Sequence, residues 1–380
     1  MPIVTFPKTK PKSFPHDRSS RQHTAIIYCE NNFGRIDGKT ANGLLRYSEK
    51  YKILAVIDST KAGQDCGMVL DDTPNNIPVC RDLTEALEIA GDVPDSFIYG
   101  MAPLSGMLSE HERGIMLKAI NLGMNIVNGL HQFLNEDPEF AAASAANNVT
   151  IFDVRKPRDK KDLKVFSGRI SEVTCPRIAV LGTDGAIGKR TTATILTKAL
   201  NERGIKAVMV GTGQTGLIQG ARYGIAIDAI APQFCSGEME SAVIEAFEGE
   251  SPDVIIVEGQ GALSHPAYLT SAYILRGSQP DGVVLQHAPG RSSLSDYPDI
   301  AMPSATSEIN LIETFADTKV IGLTINHENM TDNEISAAIT RYEDTLDIPA
   351  TDALTRSPDH LVEMVLLAFP ALGKKISTAA

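Results

Sequence analysis

The sequence predicts an α/β protein with an N-terminal Rossmann-like parallel-sheet domain and a C-terminal P-loop α/β domain. Three observations carry this. Short apolar runs of strand length alternate with helix-length segments from residue 23 onward, the pattern of parallel sheets covered on both faces. A polar, Pro-bearing basic stretch at 155–164 interrupts the alternation. A glycine-rich segment at 182–192 follows an apolar strand and opens a long helix, where a phosphate-binding loop must sit. The expected organisation is an extension at 1–22, a first domain at 23–154, a linker at 155–176 and a second domain at 177–380.

The extension carries Lys8, Lys10, Lys12, Arg18 and Arg21 interspersed with prolines. It lacks the continuous apolar core of a signal peptide, and Asp17 and the prolines oppose an amphipathic targeting helix. It reads as a surface-draped segment. Residues 25–28 then form a short apolar strand, followed by a Gly-containing loop and a helix marked by Leu44, Leu45 and Tyr47. Further strands fall at 53–58, 97–100 and 125–127, with a helix at 109–122 that ends in Asn121, Leu122 and Gly123. The basic run at 155–164 reads as solvated linker. Beyond it, strands are expected at 177–181, 207–210, 254–257, 283–285 and 320–325, and helices at 188–203, 305–316, 331–345 and 358–369.

Composition narrows the class. With 43% hydrophobic and 22% charged residues among 380, the chain is an ordinary globular one. No run approaches the ~18 apolar residues of a membrane span. Its net charge of -12 excludes a general nucleic-acid or anionic-membrane binder but permits a local anion site. Five scattered cysteines without a CxxC pair fit a reducing cytoplasm and neither a disulfide framework nor a zinc site. The expected partners are a small-molecule substrate and further copies of the chain, with no metal.

The strongest local signal is the run at 182–192. Gly185 and Gly188 let backbone N–H groups converge on an anion, the helix N-terminus adds positive potential, and Lys189 supplies a point charge. Gly182, Thr183, Gly185, Gly188, Lys189, Arg190, Thr191 and Thr192 are the expected anion-binding set. The loop departs from G-x-x-x-x-G-K-[ST] at two places. Thr183 stands where the first glycine belongs, displacing it to Gly182, and Arg190 replaces the hydroxyl that ligates magnesium. A cation there weakens nucleotide–metal binding and favours a bare phosphate. Asp184 lies within the same loop.

A second segment, 257–268, follows the strand at 254–257, so Glu258 sits at the carboxyl edge where open α/β sheets bind ligands. Glu258 could serve as a base or hold a metal, and His265 titrates near neutrality. The glycines around Gln214 make a ligand-approach loop or a plain turn. Gly277 to Asp281 reads as a structural turn. Asn326 closes a strand where an amide could read an adenine edge, and His131 follows another strand and could face an interdomain cleft.

With these segments in view, the chain resembles a bacterial family that was long a domain of unknown function and includes the D-glutamate (D-amino acid) N-acetyltransferases. The resemblance runs from about residue 23 to 370. It rests on Gly129-Leu130-His131 with Asp137-Pro138-Glu139, Gly182-Thr183-Asp184 with Gly188-Lys189, and Thr212-Gly213-Gln214-Thr215-Gly216. Ile227-Asp228-Ala229, Glu258-Gly259-Gln260-Gly261, His265-Pro266-Ala267-Tyr268 and Gly277-Ser278-Gln279-Pro280-Asp281 complete it. It implies acetyl-CoA as co-substrate and a D-amino acid as acceptor. The second half also resembles dethiobiotin synthetase and related ATP-dependent ligases, whose magnesium-binding hydroxyl is what Arg190 replaces.

On that resemblance, the loop at 182–192 holds phosphates of CoA. Lys189 and backbone amides stabilise the thioester oxyanion, and Glu258, then His265 and Asp184, are the candidate bases. Gln214, Gln260 and His131 are the expected acceptor contacts. The rival readings are an ATP-dependent ligase or kinase with magnesium on Asp184 and Glu258, and a non-catalytic nucleotide or CoA sensor.

Overall fold

The structure is a computed structural model that describes residues 22–103 and 105–376; the expected extension lies outside these apart from Gln22. The first domain is a six-stranded, all-parallel sheet. Its strands are β1 (His23–Tyr28), β2 (Tyr51–Ile57), β3 (Val79–Cys80), β4 (Ser96–Tyr99), β5 (Asn125–Asn128) and β6 (Ile151–Asp153), in spatial order β3-β2-β1-β4-β5-β6. This is the doubly wound order, with its switch point between β1 and β4, where ligands bind in such sheets. Helices α1 (Lys39–Arg46), α2 (Cys66–Asp71), α3 (Leu83–Ala90), α4 (Glu110–Asn121) and α5 (Pro138–Asn147) connect the strands. Ala25 to Tyr28 are all buried, which is why they read as a continuous apolar run and not an alternating one. Local signals set the helix starts: Ser109 and Glu112 form a capping box on α4, and Asp137 caps α5 ahead of Pro138.

The second domain holds β7 (Arg177–Gly182), β8 (Ala207–Gly211), β9 (Tyr223–Gly224), β10 (Val254–Glu258), β11 (Gly282–His287), the hairpin β12 (Ser293–Leu294) and β13 (Tyr297–Ala301), β14 (Val320–Ile325) and β15 (Ala350–Asp352). Its seven-stranded parallel sheet runs β15-β14-β11-β7-β10-β8-β9, which puts β7 at the centre. The helices are α6 (Lys189–Glu202), α7 (Gln214–Gln219), α8 (Pro232–Glu250), α9 (Thr270–Ser278), α10 (Ala305–Phe315), α11 (Asp332–Leu346), α12 (Asp359–Ala368) and α13 (Pro370–Ile376). No helix among the described residues is long and apolar enough to cross a membrane.

Contacts of the 164–170 segment and of α1 fix the junction between the halves. The segment at 164–170 lies along α8, where Glu238 accepts from the Lys164 N–H at 2.6 Å and Glu240 from the N–H groups of Ser167 and Ile170 at 2.7 and 3.1 Å. Gly237 permits this approach, since a Cβ there would lie 2.3 Å from the Val165 carbonyl carbon. The second contact joins α1 of the first domain to α7 of the second. Thr40 and Thr215 share a hydroxyl hydrogen bond of 2.9 Å, and the Gln219 amide donates to the carbonyls of Gly43 and Tyr47 at 2.7 and 2.9 Å.

Candidate functional site

A cleft of about 770 Å³ opens between the domains. Residues beyond the carboxyl ends of β1, β4 and β5 form one wall, and those beyond β7, β8, β10, β14 and β15 form the other. Both sheets therefore present their ligand-binding edges to one space.

Its floor is the phosphate loop. A Cβ at Gly182 would lie 2.8 Å from Ile187 and 3.0 Å from the Gln286 carbonyl, so glycine is needed where the loop folds back over β7. Ala186 (φ 48) and Gly188 (φ 105) take the left-handed conformation that turns the chain into α6. The loop's carbonyls are held from behind. Arg291 donates to those of Gly185 and Ala186, each at 3.1 Å, and Asn326 to that of Ile187 at 3.0 Å. Meanwhile the N–H groups of residues 187–191 find no acceptor among the described residues, and these residues line the cleft. Unpaired amides at a helix N-terminus form a cradle for an anion, so phosphate groups fit the loop.

Lys189 is 5% exposed, its ammonium donates to the Asp184 carbonyl, and burial holds its pKa down to about 8. Arg190 also lines the cleft, but its side chain turns toward the first domain. A Cβ on Gly43 would lie 2.4 Å from its Nη2, and its buried Nε has no hydrogen-bond partner. The acid that chiefly offsets the burial of Arg190 is Glu258. Thr191 lines the cleft beside it.

Glu258 ends β10 and is 5% exposed. Its Oε2 accepts from the Thr212 N–H at 2.9 Å, and Gly216 leaves room for it, since a Cβ there would come within 2.5 Å of that oxygen. Burial raises the Glu258 pKa above the usual carboxylate range, while Arg190 and the N–H groups of Thr212 and Gly213 oppose the rise. Burial thus favours the protonated carboxyl, while the arginine and the amides favour the carboxylate.

The cleft brings together Gly185, Gly188, Lys189, Arg190, Thr191, Gln214, Glu258, Gln260, His131 and Asn326. Gly182, Thr183, Asp184, Thr192 and His265 lie behind it. Asp184 is fully buried and accepts from Arg291 and the Ser295 N–H, both at 2.9 Å. The Thr183 hydroxyl meets His287 Nδ1 at 2.9 Å, and that of Thr192 donates to Gln286 at 2.6 Å. His265 stacks on Tyr268 with ring centroids 4.4 Å apart, and its Nδ1 accepts from the Ala267 N–H at 3.2 Å. A neutral imidazole accepting at Nδ1 carries its proton on Nε2. His265 is therefore set up as a donor, and its buried Nε2 lacks a partner.

The amide of Asn326 is committed at both ends, its oxygen accepting from the Glu328 N–H at 2.9 Å and its nitrogen donating to Ile187. Gln260 donates to the Thr212 carbonyl, and Gln214 accepts from Arg155 at 2.9 Å. His131 stands 3.8 Å from Asp228, and burial together with Arg155 lowers its pKa.

Sequence reasoning missed Arg155, Lys39 and Arg291, and the pairing of His327 with Asp352. Arg155, from the basic stretch, is 7% exposed. It bonds Asp228 at 2.9 Å, Gln214 and the Gly129 carbonyl, joining the two domains beneath the cleft. Lys39, Arg291 and a His327–Asp352 pair at 2.7 Å complete the set. Their signals were weak: Lys39 is one lysine after Gly38, and Arg155 sits in a run of charges that reads as solvated.

The chain belongs to the DUF1611 family. Residues 164–362 match the family's P-loop domain and residues 59–157 its Rossmann-like domain, both described as domains of unknown function. The chain is 34% identical over 274 residues to a Pseudoalteromonas protein named D-glutamate N-acetyltransferase, covering 70% of this chain and 80% of the relative. A Tritonibacter scottomollicae protein of the same name is 29% identical over 276 residues, with the same coverage. Among solved structures, a DUF1611 family protein from Anabaena variabilis matches with a TM-score of 0.84 and 31% identity, over 91% of this chain and 100% of its own.

Proposed function

We propose that the protein transfers the acetyl group of acetyl-CoA to the amino group of a D-amino acid, with D-glutamate the foremost acceptor. One observation carries the reading: a phosphate cradle whose loop amides are unpaired shares a cleft with Glu258, a buried carboxyl of raised pKa. The names of the curated relatives supply the acetyl group and the acceptor.

The loop at 182–192 holds the pyrophosphate or 3′-phosphate of CoA through its amides and Lys189. Cleft donors other than those on the phosphates stabilise the thioester oxyanion as the amine attacks, a preorganised effect of about 3 kcal/mol per donor. The attacking amine must be neutral, and Glu258 takes its proton. The new amide C–N bond forms as the C–S bond breaks, and the sulfur leaves as the CoA thiol.

The ATP-dependent alternative requires Asp184 and Glu258 as magnesium ligands. Asp184 lies behind the cleft on Arg291 and Ser295, and Glu258 is opposed by Arg190. These placements favour acyl transfer. The test incubates the protein with D-glutamate and either acetyl-CoA or MgATP, and follows free thiol and ADP. Thiol release dependent on D-glutamate is expected. ADP release would overturn the reading, and donor binding without turnover would point to a sensor.

A further inference from the structure

Lys39 opens α1 directly beyond the loop that leaves β1, and α1 is clamped at both ends. The Ala41 N–H donates to the Gly100 carbonyl at 2.9 Å, and Thr40, Gly43 and Tyr47 bond α7 across the domain junction. The base of the lysine is thus fixed, while its side chain is exposed to the cleft.

Two neighbouring cations of the inner cleft, Arg291 and Arg155, are spoken for. Arg291 pairs with Asp184 and Glu328, and Arg155 with Asp228. The Lys39 ammonium makes no hydrogen bond or ion pair with any described residue. The charges that face it are Arg155, Asp296, Asp228, Arg190 and Lys189. The phosphate loop already supplies amides and a lysine from the opposite wall, whereas Lys39 projects from the first domain on the side of Arg155 and Asp228.

We infer that Lys39 binds a carboxylate of the acceptor amino acid and so determines which acceptors the cleft admits. The inference rests on the acetyl-transfer reading. An ammonium held at one end on a long stem is a point donor suited to a carboxylate. A charge-assisted hydrogen bond of this kind changes affinity by roughly 10- to 100-fold.

The test compares wild type with Lys39→Met and Lys39→Arg. Initial rates of thiol release are measured against D-glutamate, D-glutamine and acetyl-CoA, and calorimetry measures D-glutamate binding in the presence of CoA, where no turnover is needed. Lys39→Met is expected to raise KM and Kd for D-glutamate about 10- to 100-fold, to leave KM for acetyl-CoA within about twofold, and to be partly rescued by arginine. A loss confined to D-glutamate assigns the side-chain carboxylate, and one shared with D-glutamine assigns the α-carboxylate. An unchanged D-glutamate affinity, or a loss that falls on acetyl-CoA, overturns the inference. If wild type releases no thiol, the acetyl-transfer reading fails, and the calorimetric comparison still decides the role of Lys39. Matching urea midpoints exclude misfolding as the cause.

Discussion

Replacing Glu258 by glutamine removes a proton acceptor while keeping an oxygen where the Thr212 N–H needs one. The loss of a general base costs about 10²- to 10⁴-fold in kcat, or roughly 3–5 kcal/mol at 1.36 kcal/mol per tenfold. A second effect accompanies it. Glu258 is the chief acid offsetting the buried Arg190, and removing one partner of a buried pair costs up to about 3–5 kcal/mol of fold stability. Arg190 keeps some solvent contact, so the loss should fall below that bound. The assay is thiol release from pH 6 to 9 at saturating acetyl-CoA, beside a urea titration. Burial raises the Glu258 pKa, so wild-type kcat should fall on the acid side as the carboxylate protonates. Glu258→Gln should be slow throughout and lack that limb. A folded variant within about threefold of wild type, with its acid limb intact, would refute the assignment.

Two further outcomes follow from the same geometry. Gly216→Ala places a methyl 2.5 Å from the resting position of Glu258 Oε2. The displaced carboxylate should lower kcat roughly 10- to 100-fold with KM for acetyl-CoA nearly constant, and an unchanged kcat would show that the position of Glu258 does not matter. Lys189 has a pKa of about 8 when free, and ligand phosphates must raise it. CoA binding near pH 8.5 should therefore take up protons, read by calorimetry in buffers of different ionisation enthalpy. Lys189→Met should abolish the uptake; a persisting uptake would place the proton elsewhere.

The first domain's strands at 25–28, 53–58 and 97–100 were legible because fully buried parallel strands are unbroken apolar runs, and β7, β8, β10 and β14 were legible for the same reason. Helix α8 was not. It interrupts its apolar positions with Gly237 and Gly249, and its Glu238 and Glu240 are buried acceptors for the 164–170 segment, although glutamates on a helix read as solvent-facing. The phosphate loop was legible from its glycines, but which of its residues face the ligand was not. Thr183, Asp184 and Thr192 are spent on β11 and the hairpin region, contacts more than 90 residues away in sequence. Arg155 escaped notice because a buried guanidinium and a solvated one look alike until their partners, here Asp228 and Gln214, are known.

Arg190 and Gly43 are one structural feature written at two distant positions. A hydroxyl after the loop lysine would stay at the phosphate end of α6, where a metal ion can use it. The longer guanidinium instead crosses to α1 and occupies the volume that a side chain at residue 43 would need. The cost of burying its charge is partly offset by Glu258 on β10. The residue that departs from the nucleotide-binding pattern therefore lies against the first domain and acts electrostatically on the proposed base. On the proposed reading, this is why the activity belongs to the domain junction. The phosphate loop alone holds a donor, but the charge of Glu258 is favoured by an arginine that lies against α1.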